Sequence, residues 1–375
     1  MQLLSQPTAP YREQLVIQWM KKELEGAELP FFQDSAGNLV LGVRSEQEYR
    51  ILLSRSSSEP VRIFVAHMDH PGFHGVRWNK AGLEIKWYGG SPKKHLVGSD
   101  VWLCSEDGLA AKGKLIQASL SPQKTHLNKG VVKCSSDLRD SKPETIFGGW
   151  AFRAPAWEKG GLIYTKAADD LVGCFAVLET AKKAHLSGKG HFIGLLTRAE
   201  EVGFVGCIAH FELGFFQLAK RLPIVVSLET SRTLPGALIG KGPVVRLGDR
   251  ASIFSAEAVE VLHQVAKKVL PKKFQRRVMD GGTCEATVAV ANRIPAMGIS
   301  IPLGNYHNQG FEGGPDCRGS EGPAPEFVSL SDIRGMLRLC EGLLEEGLPW
   351  QDPWSSKRED LKKYLEEGTK LLRPS

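Results

Sequence analysis

The run Phe192-Ile-Gly-Leu-Leu-Thr197 is followed within a few residues by the pair Glu200-Glu201. An apolar run of this length reads as a buried strand, and Val202, Val205, Gly206, Ala209 and Leu213 beyond the pair fall at helical spacing. A strand that turns straight into a helix is the repeating unit of an α/β fold. Its carboxyl end is where an open sheet of that kind places its ligands. Neighbouring side chains at such a turn diverge, so one carboxylate can hold a metal while the other stays free as a base. Taken alone, the pair is more simply a solvated acidic turn at the positive end of a helix dipole.

The other strand ends carry the argument further. Arg62-Ile-Phe-Val-Ala66 has strand character and delivers His67-Met-Asp69. Positions two apart on a strand share a face, so His67 could bind a metal while Asp69 takes its other ring nitrogen. A structural hydrogen-bonded pair is as common, and His70 and His74 nearby are rival ligands that rank lower because they follow the strand end and a Pro-Gly turn. Leu162-Ile-Tyr-Thr165 is expected to re-enter the main sheet and to lead into Asp169-Asp170 and a helix to about His185. Asp before a helix is usually an N-cap, and two adjacent Asp residues allow a cap and a ligand at once. Pro223-Ile-Val-Val-Ser-Leu228 ends on Glu229. Met297-Gly-Ile-Ser-Ile-Pro302 leads to His307 and then Glu312.

Between about 75 and 161 the pattern changes to short alternating runs separated by Gly, Ser, Pro and Lys, with no long helix. Leu83, Ile85 and Trp87 are one such half-exposed strand. This predicts a small all-β domain inserted into the α/β chain, with 119–143 as its least ordered stretch. The catalytic domain would comprise 1–74 and 162–350, and 351–375 would form a charged helical tail. Toward the N-terminus, Thr8-Ala-Pro10 is expected to open a helix with the stripe Leu15, Val16, Trp19, Met20 and Leu24. After Glu200-Glu201 a helix is expected to run to about Lys220.

Composition excludes several classes. The chain has 375 residues, 42% hydrophobic and 24% charged, which suits a globular protein large enough for two domains. The net charge of +6 is spread along the chain rather than clustered with aromatics, so nucleic-acid binding is not expected. No apolar run is long enough for a membrane helix and no signal peptide is evident. Seven cysteines without CxxC spacing point to a reducing, cytoplasmic setting.

His67, Asp169, Glu201, Glu229 and His307 together offer imidazoles and carboxylates, a donor set suited to borderline divalent ions. Zinc is the first choice, with cobalt and manganese compatible. With one carboxylate bridging, these residues could hold two metals about 3.5–4 Å apart and present a water to a carbonyl. Glu200 would be the free general base.

At this point the chain resembles the M42 family of di-metal aminopeptidases, which are close in fold to the M28 and M18 families. The matching pieces are Pro10 through Glu13, Asp34-Ser-Ala-Gly-Asn38, Ala66-His-Met-Asp69, Lys166 through Gly173, Glu200-Glu-Val-Gly203, Gly240-Lys-Gly-Pro243, Gly281-Gly-Thr283 and Gly298 through His307. Their order and spacing run nearly the whole length. The resemblance implies a mixed-sheet zinc-exopeptidase domain with an inserted β domain. It implies Asp169 as bridging ligand, Glu201 and His307 on one metal, His67 and Glu229 on the other, Glu200 as base and Asp69 as partner of His67. It also implies short peptides as substrates and a homo-oligomer, up to a twelve-subunit shell.

The departures mark a divergent branch. His70 and Leu171 stand where the family usually has an acidic residue and Arg, and Glu229 stands where it usually has Asp. The family's Gly-Gly-Thr-Asp becomes Gly281-Gly282-Thr283-Cys284, so Glu285 is the candidate to supply the acidic group near the substrate beside Gly282 and Thr283. The altered Leu171 and Cys284 motivate a second reading, a deacylase on the same scaffold. A third is a non-catalytic oligomeric binding protein.

Overall fold

The computed structural model describes residues 1–135, 138–217 and 219–372. Its apolar runs become the middle of an eight-stranded sheet, ordered Phe31–Gln33, Leu39–Leu41, Phe192–Thr197, Val61–His67, Pro223–Arg232, Ala296–Leu303, Val244–Asp249, Gln275–Met279. The four from Phe192–Thr197 to Ala296–Leu303 are mutually parallel. Antiparallel partners flank them on both sides. Val61–His67, Phe192–Thr197 and Ala296–Leu303 are buried at every position. Burial on both faces is why these strands read as continuous apolar runs rather than alternating ones. The helices Leu171–Leu186, Ala256–Val269 and Leu330–Leu343 pack beside one another and against the sheet.

A closed barrel of short antiparallel strands interrupts this domain, running from Gly72–Trp78 to Ile146–Trp150. Phe73, Leu83, Ile85, Trp87, Leu103, Leu115, Val132 and Trp150 fill it. The barrel abuts the strand ends of the main sheet. A Cβ placed on Gly90 would stand 1.9 Å from Nδ1 of His307, so only glycine lets the two meet. The mixed α/β fold with an inserted small β domain is thus as expected.

Several local expectations need correction. Leu162–Thr165 does not re-enter the main sheet. It sits in a separate three-stranded antiparallel sheet between Ala156–Lys159 and Glu326–Ser329. The first helix begins at Gln14, not at Pro10, because Glu13 turns its carboxylate back onto the preceding loop and accepts from Tyr11 N at 2.8 Å. The helix after Glu200-Glu201 is confined to Val205–Glu212, ending in turns at Leu213. Residue 218, within the longer helix expected there, lies outside the described residues. The stretch expected to be least ordered contains the strand Leu127–Cys134, while 136–137 of it and 373–375 of the tail lie outside the described residues. Of the tail, Ser355–Gly368 is helical with no buried residue.

Candidate metal centre

Each parallel strand hands its last residues to one end of the sheet. His67 ends Val61–His67 and pairs across the ladder with Thr197, the last residue before the Glu200-Glu201 turn. Glu229 lies on the neighbouring strand opposite Ser300. Asp169 and Asp170 precede the helix Leu171–Leu186 and divide the roles left open above. Asp170 is the N-cap, accepting from Gly173 N at 3.1 Å. That leaves the Asp169 carboxylate free to face the two imidazoles.

Asp169 Oδ1 lies 3.4 Å from His67 Nε2, and Asp169 Oδ2 lies 3.6 Å from His307 Nε2. His307 Nε2 is also 3.1 Å from Glu201 Oε2. One carboxylate therefore presents an oxygen to each imidazole. Ligand atoms of His67, Asp169 and Glu229 cluster within 4.8 Å, as do those of Asp169, Glu201 and His307. Glu201 Oε1 and Glu229 Oε1 are buried without a hydrogen-bond partner. Buried carboxylate oxygens without a donor are costly, and a cation is the group that would satisfy them. The residues fit a metal on that ground. Glu200 Oε2 lies 3.8 Å from His67 Nε2.

Charge balance points the same way. Burial disfavours charge on His67, but Glu200, Asp169 and Asp69 outweigh it and hold the ring well above its ordinary value. Burial likewise opposes charge on His307, yet Glu201 and Asp169 push it up to about 10. Burial, with help from Glu201, Glu285 and Asp69, holds Glu200 well above the carboxylate range. Burial does the same to Glu229, reinforced by Glu285. The cluster takes up protons where divalent cations would otherwise supply the positive charge.

A supporting frame comes from residues far apart in the chain. Asp69 accepts from the main-chain N of Glu200 at 2.9 Å and of Glu201 at 3.1 Å, through separate oxygens. Its role is wider than the expected one, because Nδ1 of His67 meets the Asp69 carbonyl at 3.1 Å and the carboxylate only at 3.6 Å. Glu13 holds Arg198 Nε at 2.7 Å and Ala199 N at 3.0 Å. Asn38, fastened to Asp34, accepts from Arg198 N at 3.1 Å and donates to Gly206 O at 3.0 Å. These contacts fix a turn whose Ala199 and Phe204 have positive φ.

Some functional neighbours carried no sequence signal. Glu326 is fully buried and accepts from Ala168 N at 2.7 Å, Asp169 N at 3.1 Å and His307 N at 2.9 Å, joining two of the expected ligand segments. Thr230 Oγ1 donates to Asp169 Oδ1 at 3.3 Å. Neither could be ranked without knowing which backbones meet.

The rival histidines are engaged elsewhere. His70 uses Nδ1 on the Asp169 carbonyl at 2.5 Å and Nε2 on Asn308 Oδ1 at 3.1 Å. His74 binds the Pro10 carbonyl at 2.8 Å. Glu312 accepts from Asn305 N at 2.6 Å.

A cleft of about 350 Å³ opens over His67, Asp169, Glu200, Glu201, Glu229 and His307, with Gly282, Thr283 and Tyr306 on its wall. Glu285 does not line it. The side chain is fully buried, accepts from Thr197 Oγ1 at 2.8 Å and brings a carboxylate oxygen within 4.8 Å of those of Glu200 and Glu229, so it joins the acidic cluster without lining the cleft. Leu171 and Cys284 are likewise fully buried and off the cleft. The local reason is that the helix Ala286–Ala291 starts at once, turning both Cys284 and Glu285 toward the core.

A parallel-centred α/β sheet with a barrel insert is an architecture this chain shares with solved peptidases. The comparisons sharpen it. The family model for the M42 glutamyl aminopeptidases matches residues 150–310. The chain superimposes on the TET1 peptidase of Pyrococcus horikoshii, described as assembling into a tetrahedron or a large octahedral shell, with a TM-score of 0.70 at 21% identity over 92% of this chain and 98% of that one. It matches aminopeptidase APDkam598 of the archaeon Desulfurococcus kamchatkensis with a TM-score of 0.70 at 22% identity, over 94% of this chain and 95% of that one. A TET aminopeptidase of a marine-sediment Thaumarchaeota archaeon gives 0.69 at 20% identity, over 92% and 95%. No curated protein sequence matches the chain. The M42 resemblance read from the sequence is borne out by the family match and the shared fold.

Proposed function

We propose that the chain is a metal-dependent aminopeptidase that removes N-terminal residues from short peptides. One observation carries this reading: His67, Asp169, Glu201, Glu229 and His307 converge from separate strand ends around Glu200, leaving buried carboxylate oxygens without donors. Asp169 would lie between two divalent ions, with His67 and Glu229 on one and Glu201 and His307 on the other. Zinc suits this donor set, and cobalt or manganese would fit it as well. Such ions lower the pKa of water and polarise a carbonyl.

Glu200 is the proton carrier of this proposal. It stands at the cleft beside His67, placed to take a proton from the attacking water and return it to the leaving amine. Asp69 aims it by holding the amides of both glutamates. Gly282 and Thr283 form a wall that a peptide backbone can approach closely. The deacylase reading loses its motive, because Leu171 and Cys284 do not face the cleft. A homo-oligomeric shell in a reducing cytoplasm belongs to the same proposal. The seven cysteines are free, and no described helix is long and apolar enough to cross a membrane.

The test is a pool of free and N-acetylated peptides incubated with and without chelator, read by mass spectrometry. Chelator-sensitive loss of single N-terminal residues from the free peptides alone is expected. Change in the acetylated half alone would replace this reading with the deacylase. Glu200→Gln should keep its metals while losing about 10²–10⁴-fold in kcat. Wild-type turnover in that variant would sink the assigned base.

A further inference from the structure

The charged side chains that line the cleft are the carboxylates of Asp169, Glu200, Glu201 and Glu229, beside the two imidazoles given to the metals. Arg250 is the exception. Its side chain is exposed, lines the cleft, and has no hydrogen-bond or ion-pair partner among the described residues. An unpaired surface arginine is ordinarily a loose, solvated group. Here the root is rigid. Arg250 N donates to Gly282 O at 2.9 Å, tying it to the cleft wall. Its neighbour Asp249 is buried and accepts from Ala251 N and Ser252 N at 2.8 Å each, from Cys284 N at 3.1 Å and from Thr287 Oγ1 at 2.6 Å. An isolated bridge between Gly248 and Ile253 closes the turn beneath it. The fold thus spends many contacts fixing the base of a guanidinium whose head is left unpaired at the substrate cleft.

A free peptide has an ammonium at one end and a carboxylate at the other. Under the proposed function the floor, with its metals and Glu200, takes the amine end, and Arg250 is the cationic side chain on the lining left to meet the other end. At about 350 Å³ the cleft has room for a few residues of peptide. Guanidinium is the side chain best matched to a carboxylate, through two parallel N–H donors.

We infer that Arg250 anchors the C-terminal carboxylate of a di- or tripeptide substrate, so that the cleft measures a short peptide from its amine to its carboxylate. The inference rests on the aminopeptidase reading and adds to it a length limit and a residue that sets it.

The experiment uses metal-loaded full-length protein with Ala-Ala, Ala-Ala-Ala, their C-terminal amides, and Ala-Glu-Ala amide. For wild type, amidation should raise KM about fivefold with little change in kcat, in keeping with an exposed charge pair. The gap should narrow between about 0.05 M and about 0.5 M sodium chloride. Arg250→Gln should bring the KM of the free acids up to that of the amides, and Arg250→Lys should keep part of the difference. Equal KM for acids and amides in wild type overturns the inference while leaving the peptidase intact. A low KM for Ala-Glu-Ala amide that depends on Arg250 moves the contact to an acidic side chain and also overturns it. If no peptide is cleaved, the peptidase reading itself fails. Calorimetric binding to wild type and Arg250→Gln then still decides whether the acids are preferred through Arg250.

Discussion

Asp69 offers a test of the frame that can be worked from the distances. Its two oxygens accept separately from Glu200 N at 2.9 Å and Glu201 N at 3.1 Å, and the side chain is fully buried. Asn keeps one acceptor oxygen and turns an NH₂ toward the other amide; Ala removes both acceptors. Either change also removes a charge that repels Glu13 and Glu200, a gain common to both variants. Asn thus keeps one of the two amide bonds but sets a buried NH₂ against the other amide, whereas Ala leaves both amides without an acceptor and adds no donor. A buried donor left without a partner costs about 1–3 kcal/mol, so each variant should be less stable than wild type by about that amount. Any packing void left by Ala acts in the same direction. The assay is urea unfolding of the metal-free protein, followed by metal titration against a competing chelator. Both variants should bind metal about 10–100-fold more weakly, because Glu201 loses the contact that aims it. Wild-type stability in both variants, with metal affinity as in wild type, would refute the clamp. Because Nδ1 of His67 is held by the Asp69 carbonyl, its tautomer should survive both substitutions, which an imidazole nitrogen NMR spectrum would report.

The remaining expectations concern metal, pH and the tail. Removing the metals should lower the unfolding temperature, since the carboxylates then face one another, and zinc at about a hundred times its Kd should restore about 2.7 kcal/mol; calorimetry with and without chelator checks this, and an unchanged midpoint would count against the site. Burial lowers His74 to about 4, so the folded state binds it neutral. Stability from this group is present above its unfolded value near 6.5 and is lost as pH falls from there through about 4. His74→Gln should flatten the urea midpoint over that window, and an unaltered slope would refute the assignment. Ending the chain after Trp354 removes a helix with no buried residue, so monomer stability should change by no more than about 0.5 kcal/mol, and a larger loss on urea unfolding would show hidden packing.

The strands and their terminal chemistry were legible in the sequence because a strand buried on both faces must be apolar throughout. A His, Asp or Glu placed just beyond such a run then stands out. That is why His67, Asp169, Glu200, Glu201, Glu229 and His307 could be named before any contact was known. The edge strand Gln275–Met279 carries no such signal, since it is largely polar and only half-buried. Adjacent residues were the harder problem. Nothing local separates Asp169 from Asp170, or says that Glu285 and Cys284 turn inward.

Those choices belong to the tertiary structure, for a physical reason. A side chain's direction at a turn is set by which backbone amides and carbonyls lie across from it, and here they come from segments distant in the chain. Glu13, Asn38 and Asp69 meet only at the Glu200-Glu201 turn, Glu326 meets Asp169 and His307 from a separate sheet, and Gly90 of the barrel makes room for the His307 ring. Local pattern determines which residues can reach an end of the sheet. The long-range hydrogen bonds among them decide which ones face the cleft and which merely hold it open.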